Sequence, residues 1–340
     1  MHPTPLGDLI RTIPKAELHL HLEGTLEQDL MMKLAERNGV ALPATQTVAR
    51  TDCHYADLQD FLDLYYAGVA VLVTEQDFHD LTAAYLRRAH EDGVRHVEVF
   101  FDPQSHTARG VPFDAVVKGI RRALDGGERA LGISWRLILC FLRDKSLGDA
   151  EVTLQSARPW RGVISGVGLD SAETGHPPGA FEGLFERARD AGFLTFAHAG
   201  EEGPASYVSE ALDRLAVRRI DHGVSAADDP ELVARLVHEQ VPLTMCPLSN
   251  LELQVTPDLR RHPLKRLLDA GVLVTVNSDD PAYFCGYVAA NYAAAAEALD
   301  LSAADIVLLA RNSIVASLLP HERKTALLEE IDRAAQAPAA

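Results

Sequence analysis

The stretch AELHLHLEGTLEQDL, residues 16–30, decides how the chain folds. Its first half alternates polar and apolar residues, the period of a β-strand. In an open doubly wound sheet its second half would be a glycine-rich phosphate loop, GxGxxG or a P-loop. Neither pattern is present. Working outward, seven more β-rich runs follow: RHVEVFFD (95–102), SWRLILCF (134–141), GVISGVGLD (162–170), FLTFAHAG (193–200), RRIDHG (218–223), VPLTMCPL (241–248) and VLVTVNSD (272–279). Helical patterns lie between most of them. Regular strand–helix alternation argues for a parallel sheet, and eight strands argue for its closure into an α/β fold, the (β/α)8 TIM barrel.

The helical segments are expected after Thr74, a candidate N-cap before Glu75-Gln76-Asp77, and at roughly 181–191, 204–216, 229–240 and 262–270. Residues 30–93 hold more helix than one crossover needs, including DLQDFLDLYYAGVAVL. A helical insertion at the barrel mouth accounts for the surplus, with Phe61, Leu62 and Tyr65 as candidates to cover a ligand. No repeat or composition break divides the chain, so residues 1–340 read as a single domain with a frayed tail at about 335–340.

The 340 residues are 47% hydrophobic, ordinary for a soluble globular protein, and carry a net charge of −17. Such an acidic surface repels phosphate backbones and anionic lipid, so nucleic-acid and membrane partners are disfavoured. The N-terminus has no long apolar stretch, and a cytoplasmic location is the expectation. The four cysteines, Cys53, Cys140, Cys246 and Cys285, form no CxxC pair and are expected to be reduced core thiols.

Ionisable residues collect at the C-terminal ends of the expected strands, the face on which such barrels build active sites. His19 and His21, two apart on a strand, share a face and can reach one metal ion. His198 ends the fifth strand, with small Ala199 and Gly200 and then Glu201 just outside. Asp221 and His222 end the sixth, an arrangement suited to an acid–base imidazole held by its neighbour. The eighth ends in two adjacent carboxylates, Asp279 and Asp280, which would point to opposite sides of a continuing strand. Asp279 can complete a site with His19, His21 and His198, leaving Asp280 to bond a substrate. Three imidazoles and one carboxylate suit one Zn2+ per chain, with Fe2+ and Mn2+ also compatible. Each pattern alone also suits a structural role, and their recurrence in barrel order is what points to a site.

HLHLEG (19–24), HAGE (198–201), DHG (221–223) and SDDP (278–281) together resemble the four motifs of the adenosine/adenine deaminases of the amidohydrolase superfamily. The likeness runs from about Pro14 to beyond Gly286. It implies a zinc-dependent barrel hydrolase with His19, His21, His198 and Asp279 as metal ligands. Glu201 matches the proton donor to the purine ring, which requires a raised pKa. His222 matches the residue that orients or deprotonates the attacking water, and Asp280 the carboxylate at the purine's imidazole edge. The fourth strand ends in Gly168-Leu169-Asp170-Ser171-Ala172-Glu173, without the lysine that two-metal relatives need.

Two further positions concern the choice between base and nucleoside. Glu23 stands where adenosine deaminases usually carry aspartate beside the ribose, and Glu173 where they place glycine near N3. Both can fill ribose space, and Glu173 can accept a hydrogen bond from N9–H, a donor that adenine has and adenosine lacks. The expectation is adenine deamination to hypoxanthine and ammonia, as in purine salvage. The alternatives are adenosine, another 6-aminopurine compound such as aminodeoxyfutalosine, or a non-catalytic zinc-binding paralogue. Oligomeric state is not legible.

Overall fold

The computed structural model describes residues 5–43, 53, 55, 56 and 58–336. All eight expected strands are present and parallel. They are β1 (Lys15–His21), β2 (Val94–Phe101), β3 (Ser134–Leu142), β4 (Ile164–Asp170), β5 (Leu194–Thr195) with β6 (Ala197–Ala199), β7 (Ile220–His222), β8 (Leu243–Met245) and β9 (Val274–Val276). The expected fifth strand is thus two short pieces, β5 and β6, broken at Phe196. The Phe196 N–H still donates to Val167 O at 2.9 Å, so the chain keeps its place beside β4.

Neighbours pair in sequence order, β1 to β5 and β6 to β9. The last strand returns to the first beyond its regular end. His21 N–H donates to Asp279 O at 3.0 Å, and Asp279 N–H donates to His19 O at 3.1 Å. The bonds that join the two ends of the sheet order therefore run through candidate site residues.

Two buried regions position the site from below. The main core fills the space between strands and helices. A smaller apolar cluster of Phe100, Ile138, Cys140 and Phe196 lies apart from it. The fully buried Arg219 guanidinium sits 4.7 Å from the Phe196 ring centroid. It donates to Glu98 Oε2 at 2.6 Å and to Asp221 Oδ1 at 2.9 Å. The two carboxylates engage two of the three guanidinium nitrogens, and losing either partner of a buried charge is costly.

Among the described residues, three α-helices, Gln28–Asn38, Leu58–Val69 and Glu75–Glu91, lie in the long stretch between β1 and β2. The last starts where Thr74 was expected to cap it, with Asp77 accepting from the Thr74 N–H and hydroxyl. The helix expected at 204–216 is two consecutive pieces, Ala205–Glu210 and Ala211–Leu215. The final helix is His321–Gln336, and of the tail expected at about 335–340, residues 337–340 lie outside the described ones. The cysteine expectation also needs correction. Cys140 and Cys246 are buried free thiols, but Cys53 and Cys285 are joined as a disulfide, their Cα atoms 6.0 Å apart. The pairing joins residues 232 positions apart, so no local spacing signals it. Among the described residues no helix is long and apolar enough to cross a membrane.

Candidate metal centre and active site

The strand ends bring His19, His21, His198 and Asp279 together, all buried. Asp279 Oδ1 lies 3.1 Å from His19 Nε2 and 3.5 Å from His21 Nε2. His21 Nε2 lies 3.1 Å from His198 Nε2. Facing lone pairs at this spacing repel unless a cation stands between them. The spacing fits the edges of a tetrahedron around a zinc-sized ion, about 3.3 Å for bonds of about 2.0–2.1 Å. His19 Nε2 has no hydrogen-bond partner although it is buried. The donor set and its orphaned nitrogen fit a metal ion.

Each imidazole of this candidate metal set is oriented from behind. His19 Nδ1–H faces Thr244 Oγ1 at 2.9 Å, and that hydroxyl in turn donates to Asp221 Oδ1 at 2.8 Å. His198 Nδ1–H donates to Leu169 O at 3.1 Å. His21 Nδ1 faces Asp170 Oδ2 at 3.5 Å. An acceptor at Nδ1 keeps the proton there and leaves Nε2 free for a metal. Burial keeps His198 well below the usual imidazole range and pulls His21 down to about 4. Burial also opposes charge on His19, but Asp279 outweighs it and leaves that ring raised. Burial would raise Asp279, yet the imidazoles around it hold its carboxyl low.

Backbone conformation explains how adjacent residues serve different tasks. Asp279 has φ +63° and His222 φ +65°. This left-handed region is uncommon for residues other than glycine, and such strain concentrates at functional sites. Regular strand β9 stops at Val276 rather than continuing to 279, and the turn at Asp279 redirects the chain after its bridge to Leu20. Asp280 then packs against the Cα of Gly24, where any Cβ would collide with its carboxyl.

One pocket is lined by His21, His198, Glu201, His222, Asp279 and Asp280. Phe61, Leu62 and Tyr65 line it as expected, joined by Leu58, Tyr66 and Phe284. Burial pushes Glu201 well above the usual carboxylate range, helped by Asp279 and Glu173 nearby. Burial and Asp279 raise Asp280 likewise. Glu201 Oε2 is 3.5 Å from His222 Nε2.

Three expected residues sit differently from their sequence reading. Glu173 is turned onto a loop: its Oε1 accepts from Gly200 N–H at 2.7 Å, and Oε2 from the N–H groups of Glu201, Glu202 and Gly203 at 2.9–3.0 Å. Its carboxylate is engaged by four backbone donors rather than turned to the pocket. Glu23 Oε1 accepts from Asp102 N–H at 3.1 Å and bonds His106 Nε2 at 2.7 Å. It stands behind Asp102, which does line the pocket together with Asp170. Asp221 does not hold His222. Adjacent strand residues face opposite ways, and Asp221 serves Arg219 and Thr244 instead.

Sequence reasoning missed Asp102, Asp170, Asn250 and His262. Asp102 and Asp170 are the last charged residues of their strand runs, a signal it used elsewhere. Burial and the neighbouring carboxylate push Asp102 well up, and burial brings Asp170 to about 7. Asn250 and His262 carry no motif. His54, another histidine without motif context in the sequence, lies outside the described residues.

Comparison with known proteins places this geometry. The profile of the adenosine deaminase family matches residues 14–334. An adenine deaminase from Sphingopyxis alaskensis is 58% identical over 324 residues, 95% of either chain. The crystal structure of an adenine deaminase from Arthrobacter aurescens superposes with a TM-score of 0.93 at 51% identity, covering 96% of this chain and 100% of that one. An amidohydrolase from Burkholderia ambifaria, solved with bound zinc, gives 0.89 at 27% identity, covering 98% of this chain and 95% of that one.

Proposed function

The chain belongs to the adenosine deaminase family, and on that premise we propose that it hydrolyses adenine to hypoxanthine and ammonia at one zinc ion. The observation that carries the reading is the convergence of His19, His21, His198 and Asp279 beside Glu201, His222 and Asp280 in one pocket. Near-full-length likeness to proteins named adenine deaminase supports the choice of purine.

When bound, zinc supplies a water polarised for proton loss near neutral pH. The remaining work falls to side chains. Glu201, kept protonated by burial and neighbouring carboxylates, donates to N1. That withdraws charge from the ring and makes C6 a better electrophile. His222 stands beside the attacking oxygen. Asp280, backed by Gly24, holds the imidazole edge. The C6–O bond forms and the C6–N bond breaks. Of the water's two hydrogens, one replaces the proton that Glu201 gave to N1, and the other leaves with the amino group as ammonia.

Glu23 and Glu173 take indirect parts in this reading. Glu23 fixes the segment of Asp102, whose carboxyl lines the pocket. Glu173 holds the loop of Glu201. The test is ammonia release from adenine and from adenosine by the zinc-loaded protein. Turnover of adenine alone is expected. Turnover of adenosine alone would overturn the specificity and keep the chemistry, and release from neither would overturn both.

A further inference from the structure

His222 differs from the three ligand imidazoles in what stands behind it. Those three face acceptors at Nδ1, whereas His222 Nδ1 faces Asn250 Nδ2 at 3.3 Å. The direction of that bond follows from a chain with a fixed end. Leu264 N–H donates to His262 Nδ1 at 3.2 Å. A backbone amide can only donate, so His262 Nδ1 carries no proton and the ring proton is on Nε2. That Nε2–H meets Asn250 Oδ1 at 3.1 Å. The Asn250 amino group is then left to donate to His222. Flipping the amide would set its amino group against His262 Nε2–H, two donors face to face. Burial keeps His262 neutral by lowering it to about 4. No solvent relaxes the chain, for Asn250 and His222 are at most 1% exposed and His262 is 3%.

We propose that Asn250 and His262 are positioning residues that fix His222 as the Nε2–H tautomer, so that it donates a hydrogen bond to the attacking oxygen instead of taking that oxygen's proton. With Nδ1 accepting from Asn250, the neutral ring keeps its proton on Nε2. That atom faces Glu201 Oε2 at 3.5 Å and Asp279 Oδ2 at 3.8 Å, between the proton donor and a metal ligand. A protonated Nε2 also offers no lone pair to a metal, which separates this fourth buried imidazole from the three ligands. Proton balance agrees, because both hydrogens of the water are placed without His222. The tautomer stands on the hydrogen-bond chain alone, and its role toward the attacking oxygen rests on the proposed deaminase reading.

The test joins imidazole nitrogen NMR with one isosteric reversal. In zinc-loaded, 15N-histidine protein, His222 signals are assigned by their loss in His222→Gln. A pyridine-like Nδ1 and pyrrole-like Nε2 are expected, and the reverse pattern would overturn the proposal. Asn250→Asp keeps the shape but offers only acceptors, so it should move the His222 proton to Nδ1. With zinc content retained, it should cut kcat on adenine by about 10²-fold or more at little changed KM. Asn250→Ala, which removes the donor without imposing the wrong tautomer, should lose less. A packing role predicts the opposite order, with the cavity variant worse than the isostere, and that order would overturn the proposal. If the wild type fails to turn over adenine, the functional reading falls, and the nitrogen spectra still decide the tautomer.

Discussion

The Glu201 backbone N–H donates to Glu173 Oε2 at 2.9 Å, so one carboxylate holds the loop on which another works. Glu173→Gln keeps the size but turns one oxygen into a donor that faces backbone N–H groups. Displacing Glu201 by a fraction of an ångström costs positioning, and kcat on adenine should fall by about 10- to 100-fold with KM less affected. If Glu173 instead bonded the purine directly, KM would carry the loss. Steady-state kinetics on Glu173→Gln and Glu173→Gly separates the two.

Asp279 and Asp280 are neighbours with different duties, and their variants should part accordingly. Asp279→Asn removes a metal ligand, and its zinc content after dialysis should drop well below one ion per chain. Asp280→Asn should keep the zinc and lose about 10²-fold or more in kcat/KM. Metal analysis beside the assay reads both, and full zinc retention in Asp279→Asn would exclude that residue as a ligand.

Gly24 owes its place to the Asp280 side chain packed on its Cα. Gly24→Ala puts a methyl group into that contact. Overpacking of this kind costs about 1–3 kcal/mol, and here the displaced group is the one assigned to the substrate. We expect a lowered melting temperature together with a raised KM for adenine. A KM equal to wild type would mean that Asp280 can move aside without loss.

Glu98 gives a prediction in acid. Burial alone would raise its pKa, but Arg219 and His96 outweigh that and hold it at about 2, against an ordinary 4.5. A depressed carboxylate contributes stability that is present above the unfolded pKa and lost as pH falls through the folded one. The drop from 4.5 to about 2 corresponds to about 3 kcal/mol. Urea unfolding at pH 6 and at pH 3 should therefore show a smaller loss between the two pH values in Glu98→Gln than in wild type. Equal losses would place the acid sensitivity elsewhere.

Sequence alone determined the strand runs, their parallel order and which side chains, His19, His21, His198 and Asp279, meet at the strand ends. Strand period and helix period differ, so alternation of the two is readable residue by residue. HxH at 19 and 21 is readable because a strand fixes which side chains share a face. His198, Glu201, His222, Asp279 and Asp280 were legible because each ends an apolar run at the face where the barrel collects its chemistry. Tertiary structure decided what depends on partners far apart in the chain. The Glu173 carboxylate could be turned to a purine or to a loop, and four amides 27–30 residues away took it. Asp221 stands beside His222 in sequence, yet the strand pleat sends it to Arg219 and Thr244. The partner of His222 is Asn250, oriented by a histidine without motif context. Hydrogen bonds are short and directional, so which group meets which is set by three-dimensional packing, and no local pattern in the chain carries that information.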